Sequence, residues 1–404
     1  MYRFMVCLLA AVMLLSSLPA GAEMPMPTEG ITIPEITVST SFEVPENEAM
    51  AFTRNMKTGW NLGNTFDAVD YLSWFHGGEE KMETAWVNVM TTPELIGAIH
   101  EAGFNTLRLP VSWRDHVDEN DVISPVWLKR VREVADYALD LGMYVIVNVH
   151  HDNKEGFLYP DSAHYERSAE YMGRIWAQMA EAFADCDEHL ILESMNEPRL
   201  VGTNWEWNMN RYDPTCRDAA DCINRLNQLF VDTVRSSGGN NVNRYLMVPA
   251  YCANPDYACF DEFVLPTDAA DNRIIVEAHA YTPYDFALNT ASKAADFDPE
   301  KLSMTSQIGG FMNKLYQKYI KNGIPVVIDE YGALNKGGNL QSRVNFAAYY
   351  VASASTRGIT CCWWDNCNFT GSGEQFGLID RRNCNWVYPD IALAIQKYCM
   401  YGRE

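Results

Sequence analysis

Basic residues are scarce in this chain. Its 404 residues include 31 Lys and Arg against 53 Asp and Glu, a formal charge of −22 at pH 7. That imbalance repels nucleic acid and anionic membrane surfaces, so neither is expected as a partner. Past the first fifteen residues there is no long apolar run, so no membrane span is expected. The rest of the chain lacks internal repeats, low-complexity tracts and any evident second domain or appended binding module. Without a paired Cys-x-x-Cys element, a zinc site has little support.

What is present starts with a secretory pattern. Arg3 supplies a positive start, Met5 to Leu15 is apolar, and Ala20-Gly21-Ala22 fits a small-residue cleavage site. The expectation is a signal peptide over 1–22, cleavage before Glu23 and an extracellular protein. Cys7 lies too early to be a lipid attachment point. Ten cysteines remain, an even number in an exported chain, so disulfides are expected, with Cys216–Cys222 and Cys252–Cys259 as close pairs. Cys361 and Cys362 are neighbours on an expected strand and should face opposite ways. Residues 23–47 are rich in Pro, Thr, Ser and Glu and read as an extended, linker-like lead-in. One folded domain is expected over 48–404, and a monomer is the default.

From residue 48 onward, short apolar runs alternate with amphipathic stretches. Expected strands are Thr58–Leu62, Thr106–Pro110, Tyr144–Val149, Leu190–Met195, Tyr245–Pro249, Ile274–Ala278, Val326–Asp329 and Thr360–Trp364. Helical periodicity fills Thr92–Ala102, Pro125–Leu141, Ala169–Ala184 and Asp221–Ser236. Eight strand–helix units predict an α/β fold, a (β/α)8 barrel of one domain.

Chemistry in such a barrel gathers where the strands end. Here the polar residues gather there too: Asn61 and Asn64, Arg108, His150-His151-Asp152, Asn196 and Glu197, His279 and Tyr281, Glu330, and Trp364. Ile191–Pro198 and Ile324–Gly332 each deliver a glutamate from the end of an apolar run, the minimum equipment for cleaving a glycosidic bond. Glu193 and Asp329 are also acidic, but two-residue alternation points Glu193 elsewhere. His150-His151-Asp152 could suggest a metal, yet the other histidines are scattered, so no metal and no cofactor are expected.

Taken in order, Gly59-Trp60-Asn61-Leu62-Gly63-Asn64, Leu107-Arg108-Leu109-Pro110-Val111-Ser112-Trp113, Val149-His150-His151-Asp152, Asn196-Glu197-Pro198, His279-Ala280-Tyr281, Glu330-Tyr331-Gly332 and Trp363-Trp364-Asp365-Asn366 form a set. That set resembles glycoside hydrolase family 5, and its opening and ending look most like the endoglucanase branch with cellulases, lichenases and xyloglucanases. The resemblance implies Glu197 as acid/base and Glu330 as nucleophile. It matches Arg108, His150, Asn196, His279, Tyr281 and Trp364 to the remaining family positions, and His151 and Asn64 to less universal ones.

Retention would need the two carboxyl groups about 5–5.5 Å apart, with Glu330 attacking the sugar and Glu197 giving, then taking, a proton. The charge of Glu330 is expected to keep that proton on Glu197. Arg108 would hold Glu330 ionised, Tyr281 would donate to it, Asn196 would bond the sugar 2-hydroxyl, and His150 and His279 would orient hydroxyls or carboxylates. Trp364 is the expected platform beside the cleavage point, with Trp205, Trp207 and Trp74 as further platforms. The resulting expectation is an endo-β-1,4-glucanase acting on cellulose-like or mixed-linkage β-glucan. Xyloglucan or mannan is the alternative substrate. A non-catalytic carbohydrate-binding barrel or a metal-dependent hydrolase are the other classes.

Overall fold

A computed structural model describes residues 26–39 and 41–403, so the expected signal segment and its cleavage point lie outside the described residues. Eight parallel strands close a barrel in chain order: β1 (Thr58–Leu62), β2 (Thr106–Leu109), β3 (Tyr144–Asn148), β4 (Leu190–Glu193), β5 (Leu246–Pro249), β6 (Ile274–His279), β7 (Val326–Tyr331) and β8 (Thr360–Asp365), which pairs back onto β1. All eight expected strands form, with ends shifted by no more than two residues. Helix α1 (Glu48–Asn55) precedes the barrel. Helices α2 (Pro93–Glu101), α3 (Pro125–Leu139), α4 (Tyr165–Ala182) and α5 (Pro214–Ser236) follow the first four strands, and α6 (Leu302–Lys318), α7 (Leu340–Thr356) and α8 (Pro389–Tyr398) follow the last three. Thr92, Ser124 and Asp213 each cap a backbone N–H just ahead of a proline that opens α2, α3 or α5. Each such cap contributes about 1 kcal/mol and fixes where the helix starts. No described helix is long and apolar enough to cross a membrane.

The strands bury both faces. Outward residues such as Leu107, Val145, Leu192, Val276 and Cys361 pack beneath the helices. Inward, Ile146, Ile191, Met247, Ile275, Val327 and Cys362 meet Ala49 and Phe52 of α1. Phe52 stacks on Tyr245 with centroids 3.7 Å apart, so α1 stoppers the base of the barrel. Cys361 and Cys362 thus face opposite ways, as alternation requires.

Two residues further along the inner face the chemistry changes. Arg108, Asn148, Glu193, Glu277 and Asp329 sit directly above the apolar layer, all wholly buried. Glu193 therefore does not point away from the site; it forms the floor beneath it. Alternation puts Asp329 inside with Val327 and would turn Glu330 outward. A register shift between Ile328 and Tyr331, matched by one between Ala278 and His279, breaks the alternation. Both acids then reach Arg108, a bulge re-aiming a side chain at the mouth of a barrel.

One expectation is corrected. All ten described cysteines are free thiols. Cys216 and Cys222 share α5, where six residues mean about 9 Å of rise and side chains turned roughly 240° apart, out of disulfide reach. Cys252 instead donates to the carbonyl of Glu206. The described residues of the lead-in run extended and are tied to the barrel's helices. Ile36 is buried, with its N–H on Tyr398 Oη, Thr28 bonds Asp390, Thr32 exchanges bonds with Gln341, and Tyr316 Oη donates to Glu43 O.

Candidate active site

Arg108, from the middle of the barrel wall, organises the site. Its Nε and Nη2 clamp Glu193 at 2.8 and 2.6 Å, and Nε also lies 3.0 Å from Asp329. Nη1 donates to Glu330 Oε1 at 2.7 Å and to Asn61 at 3.0 Å, while Nη2 donates to Asn196 Oδ1 at 2.8 Å. Burial works against a charged guanidinium, but Glu193, Asp329 and Glu330 outweigh it and hold Arg108 ionised. Glu330 Oε2 accepts from Tyr281 Oη at 2.9 Å. Burial pushes the Glu330 carboxyl up, against the opposing pull of His279 and Arg108.

Glu197 lies across the mouth from Glu330. Its Oε1 is 2.8 Å from Nδ1 of His279, and that same nitrogen is 3.6 Å from Glu330 Oε2. One oxygen of each glutamate and a nitrogen of His279 fall within 4.8 Å of one another. His279 lies among Glu197, Glu277, Asp329 and Glu330. Burial opposes its charge, but Glu330 and Asp329 prevail and raise its pKa well above the usual histidine range. Glu197 is likewise buried, yet His279 and then Arg199 bring it down. Both directions favour an imidazolium at His279 facing a carboxylate at Glu197 across their 2.8 Å contact. The Glu197 side chain is 17% exposed against 3% for His279, so Glu197 is the member that reaches the groove.

The walls follow from the same strands. His150 is held by Asn148 at 3.0 Å, and its ring lies parallel to Trp364 with centroids 5.8 Å apart. Gly63 makes room for that indole: a Cβ there would meet Trp364 Cζ2 at 2.7 Å and the Asp365 carbonyl at 2.8 Å. His151 stands edge-on to His150, and Trp86, 40% exposed, lies 6.0 Å from it. Glu197, Glu330, Arg108, His150, Asn196, His279, Tyr281, His151 and Trp364 are thus brought together. Asn64 stands at the end of β1 in a left-handed turn, its N–H on Asp67. Trp74 and Trp207 are exposed on the rim, and Trp205 is half-buried.

Sequence reasoning passed over several residues. Arg199 lies 3.4 Å from Glu197 Oε2 and stacks on Trp207 at 4.0 Å; its place two residues after Glu197 was the available signal. Trp86 was also missed. So were Glu277 and Asn148, and only their inward register marks them.

Spacing alone would admit a cation at Asp67-His150-His151, Glu197-His279-Glu330 or Glu277-His279-Asp329. Asp67, however, accepts the N–H groups of Asn64 and Thr65, and the other two groups sit beside Arg108, whose charge opposes a cation. Asp152 turns away to Trp113, Arg114 and Tyr171.

Known proteins share this sequence and fold. The chain is 40% identical over 355 residues to the cellulase/esterase CelE of Acetivibrio thermocellus, covering 86% of this chain but only 40% of that longer protein. It superposes on a lichenase from Caldicellulosiruptor sp. F32 with a TM-score of 0.89 and 52% identity, over 91% of this chain and 100% of the lichenase. A broad-specificity endoglucanase from Ruminococcus champanellensis with bound cellotriose gives a TM-score of 0.80 and 41% identity, over 88% and 99% of the two chains. Residues 71–370 match the cellulase model of glycosyl hydrolase family 5, and with these relatives the chain belongs to that family.

Proposed function

We propose that this protein is a secreted, monomeric, retaining endo-β-1,4-glucanase, cutting internal bonds of cellulose-like or mixed-linkage β-glucan. The observation that carries the reading is that one carboxylate oxygen of Glu197 and one of Glu330 lie within 4.8 Å of each other, which fits the carboxyl separation of about 5–5.5 Å that direct attack requires. Inverting chemistry would need room for a water between the carboxyls, roughly 6.5–9.5 Å.

Glu330, steered by Arg108 and Tyr281, attacks the anomeric carbon as its bond to the leaving oxygen breaks. The proton between His279 and Glu197 passes through Glu197 to that oxygen. In the second half, Glu197 takes a proton from water as water displaces Glu330, restoring both groups. Trp364 provides a flat apolar face for the sugar beside the cut, and the exposed Trp74, Trp86 and Trp207 extend such faces along the rim. The substrate class follows the lichenase and the cellotriose-bound endoglucanase named above; secretion follows the N-terminal sequence pattern.

The test is product analysis on carboxymethylcellulose, lichenan, xyloglucan and glucomannan, with the first-formed anomer read by NMR. β-Anomers and mid-chain products are expected, with Glu197→Gln and Glu330→Gln each losing about a thousandfold or more. First-formed α-anomers would overturn the double displacement, and release of single glucose units from chain ends would overturn endo action.

A further inference from the structure

His279 stands among four carboxyl groups, of which the reaction uses two, Glu197 and Glu330. Its Nδ1 is 2.8 Å from Glu197 Oε1, while its Nε2 is 3.4 Å from Glu277 Oε1 and 3.6 Å from Asp329 Oδ1. Glu277 precedes His279 by two residues on β6, so the two side chains share the inner face. Glu277 is wholly buried, and neither of its oxygens hydrogen-bonds another described residue. A lone buried carboxylate is costly, and the chemistry above leaves Glu277 no contact with sugar.

The groups around it are specific. Glu193 faces it from β4 and Asp329 from β7; Arg108 of β2 binds Glu193, Asp329 and Glu330, and its Nη2 also lies 3.5 Å from Nε2 of His279. Met247 of β5 and Cys362 of β8 line the floor without charge. Beyond His279 lie Glu197, Glu330 and His150.

We propose that Glu277 is a positioning residue for the acid/base step: facing Nε2 of His279, it keeps a proton on the His279–Glu197 pair as the pH rises. The proposal rests on Glu197 being the acid/base. Burial, Glu193 and Asp329 push the Glu277 carboxyl well above the usual range, so it is neutral while the pair is charged. When one proton leaves this cluster, it leaves from the Glu277 O–H to solvent. The anion formed 3.4 Å from Nε2 then holds the remaining proton on the pair. Glutamine cannot ionise, so a Glu277→Gln protein would lose the pair proton at lower pH.

The experiment is the pH dependence of kcat/KM for cellotetraose and for 2,4-dinitrophenyl cellobioside, whose leaving group needs no proton. Glu277→Gln is expected to move the alkaline limb down by about one pH unit with cellotetraose, leave the acid limb in place, and change little on the activated substrate. Glu277→Asp is expected to keep the alkaline limb of the unmutated protein. Spectra of 15N-histidine in the unmutated protein cover the case of a variant that does not fold: both nitrogens of His279 are expected to stay protonated to about pH 8. Coincident alkaline limbs, equal losses on both substrates, or a neutral His279 at about pH 7 would each overturn the proposal. Failure of the underlying reading is distinct, because Glu197→Gln would then keep its activity on cellotetraose.

Discussion

Replacing Arg108 by methionine keeps the stem of the side chain and removes a buried cation that touches five inner carboxylate and amide partners at once, Asn61 among them. The guanidinium lies 2.6 and 2.8 Å from Glu193, 3.0 Å from Asp329, 2.7 Å from Glu330 and 2.8 Å from Asn196, fully buried. Breaking a buried ion pair from one side costs about 3–5 kcal/mol. Unfolding entropy of about 2.1 cal/mol/K per residue gives the 404-residue chain about 0.8 kcal/mol/K. The melting temperature should therefore fall by about 4–6 °C at neutral pH. The deficit should also depend on pH. Without the cation, the carboxyls of Glu193, Asp329 and Glu330 titrate higher in the folded than in the unfolded chain. Groups raised on folding contribute stability below the unfolded pKa, and lose it as pH climbs through the folded one. The variant should thus lie nearest the unmutated protein at about pH 4.5 and furthest at about pH 8. Calorimetry at both values reads this directly. A deficit under about 1 °C, or one that does not shrink on acidification, would refute the claim that Arg108 neutralises the floor.

Two further outcomes follow from single contacts. Gly63→Ala would place a methyl 2.7 Å from the Trp364 ring and 2.8 Å from the Asp365 carbonyl, displacing the platform. KM for cellotetraose should rise about tenfold, and an unchanged KM would show that the indole does not bear the sugar. Arg199→Met removes the cation between Glu197 and Trp207 and should lower kcat/KM on lichenan about fivefold, roughly 1 kcal/mol. Equal loss on an aryl glycoside with an activated leaving group would instead mean general damage to the loop.

The barrel was legible because its strands are short apolar runs with helical periodicity between them, and because polar residues cluster just past their ends. Glu197 and Glu330 stood out for the same reason. The layer below was not legible. Glu193 and Glu277 lie within apolar runs, and only the closed barrel turns them toward Arg108 and His279. At β7, strict alternation cannot place Asp329 and Glu330 on one side; the register shift that does so leaves no mark in residue type. The proton was assigned to Glu197 because carboxylate repulsion was visible in sequence, whereas the four acids around His279 were not. Disulfides were inferred from parity, but a helix carries Cys216 and Cys222 too far apart to join. The lead-in reads as linker-like by composition, which gives no sign of the bonds from Ile36 and Pro34 to Tyr398.

Closure of the barrel at one end by Phe52 and its neighbours makes the ionic interior an insulated compartment with its doorway on the groove side. A glucan chain lying across that doorway is therefore also a shutter. A polysaccharide seated there would slow proton exchange between the medium and Glu197, Glu277, His279 and Glu330.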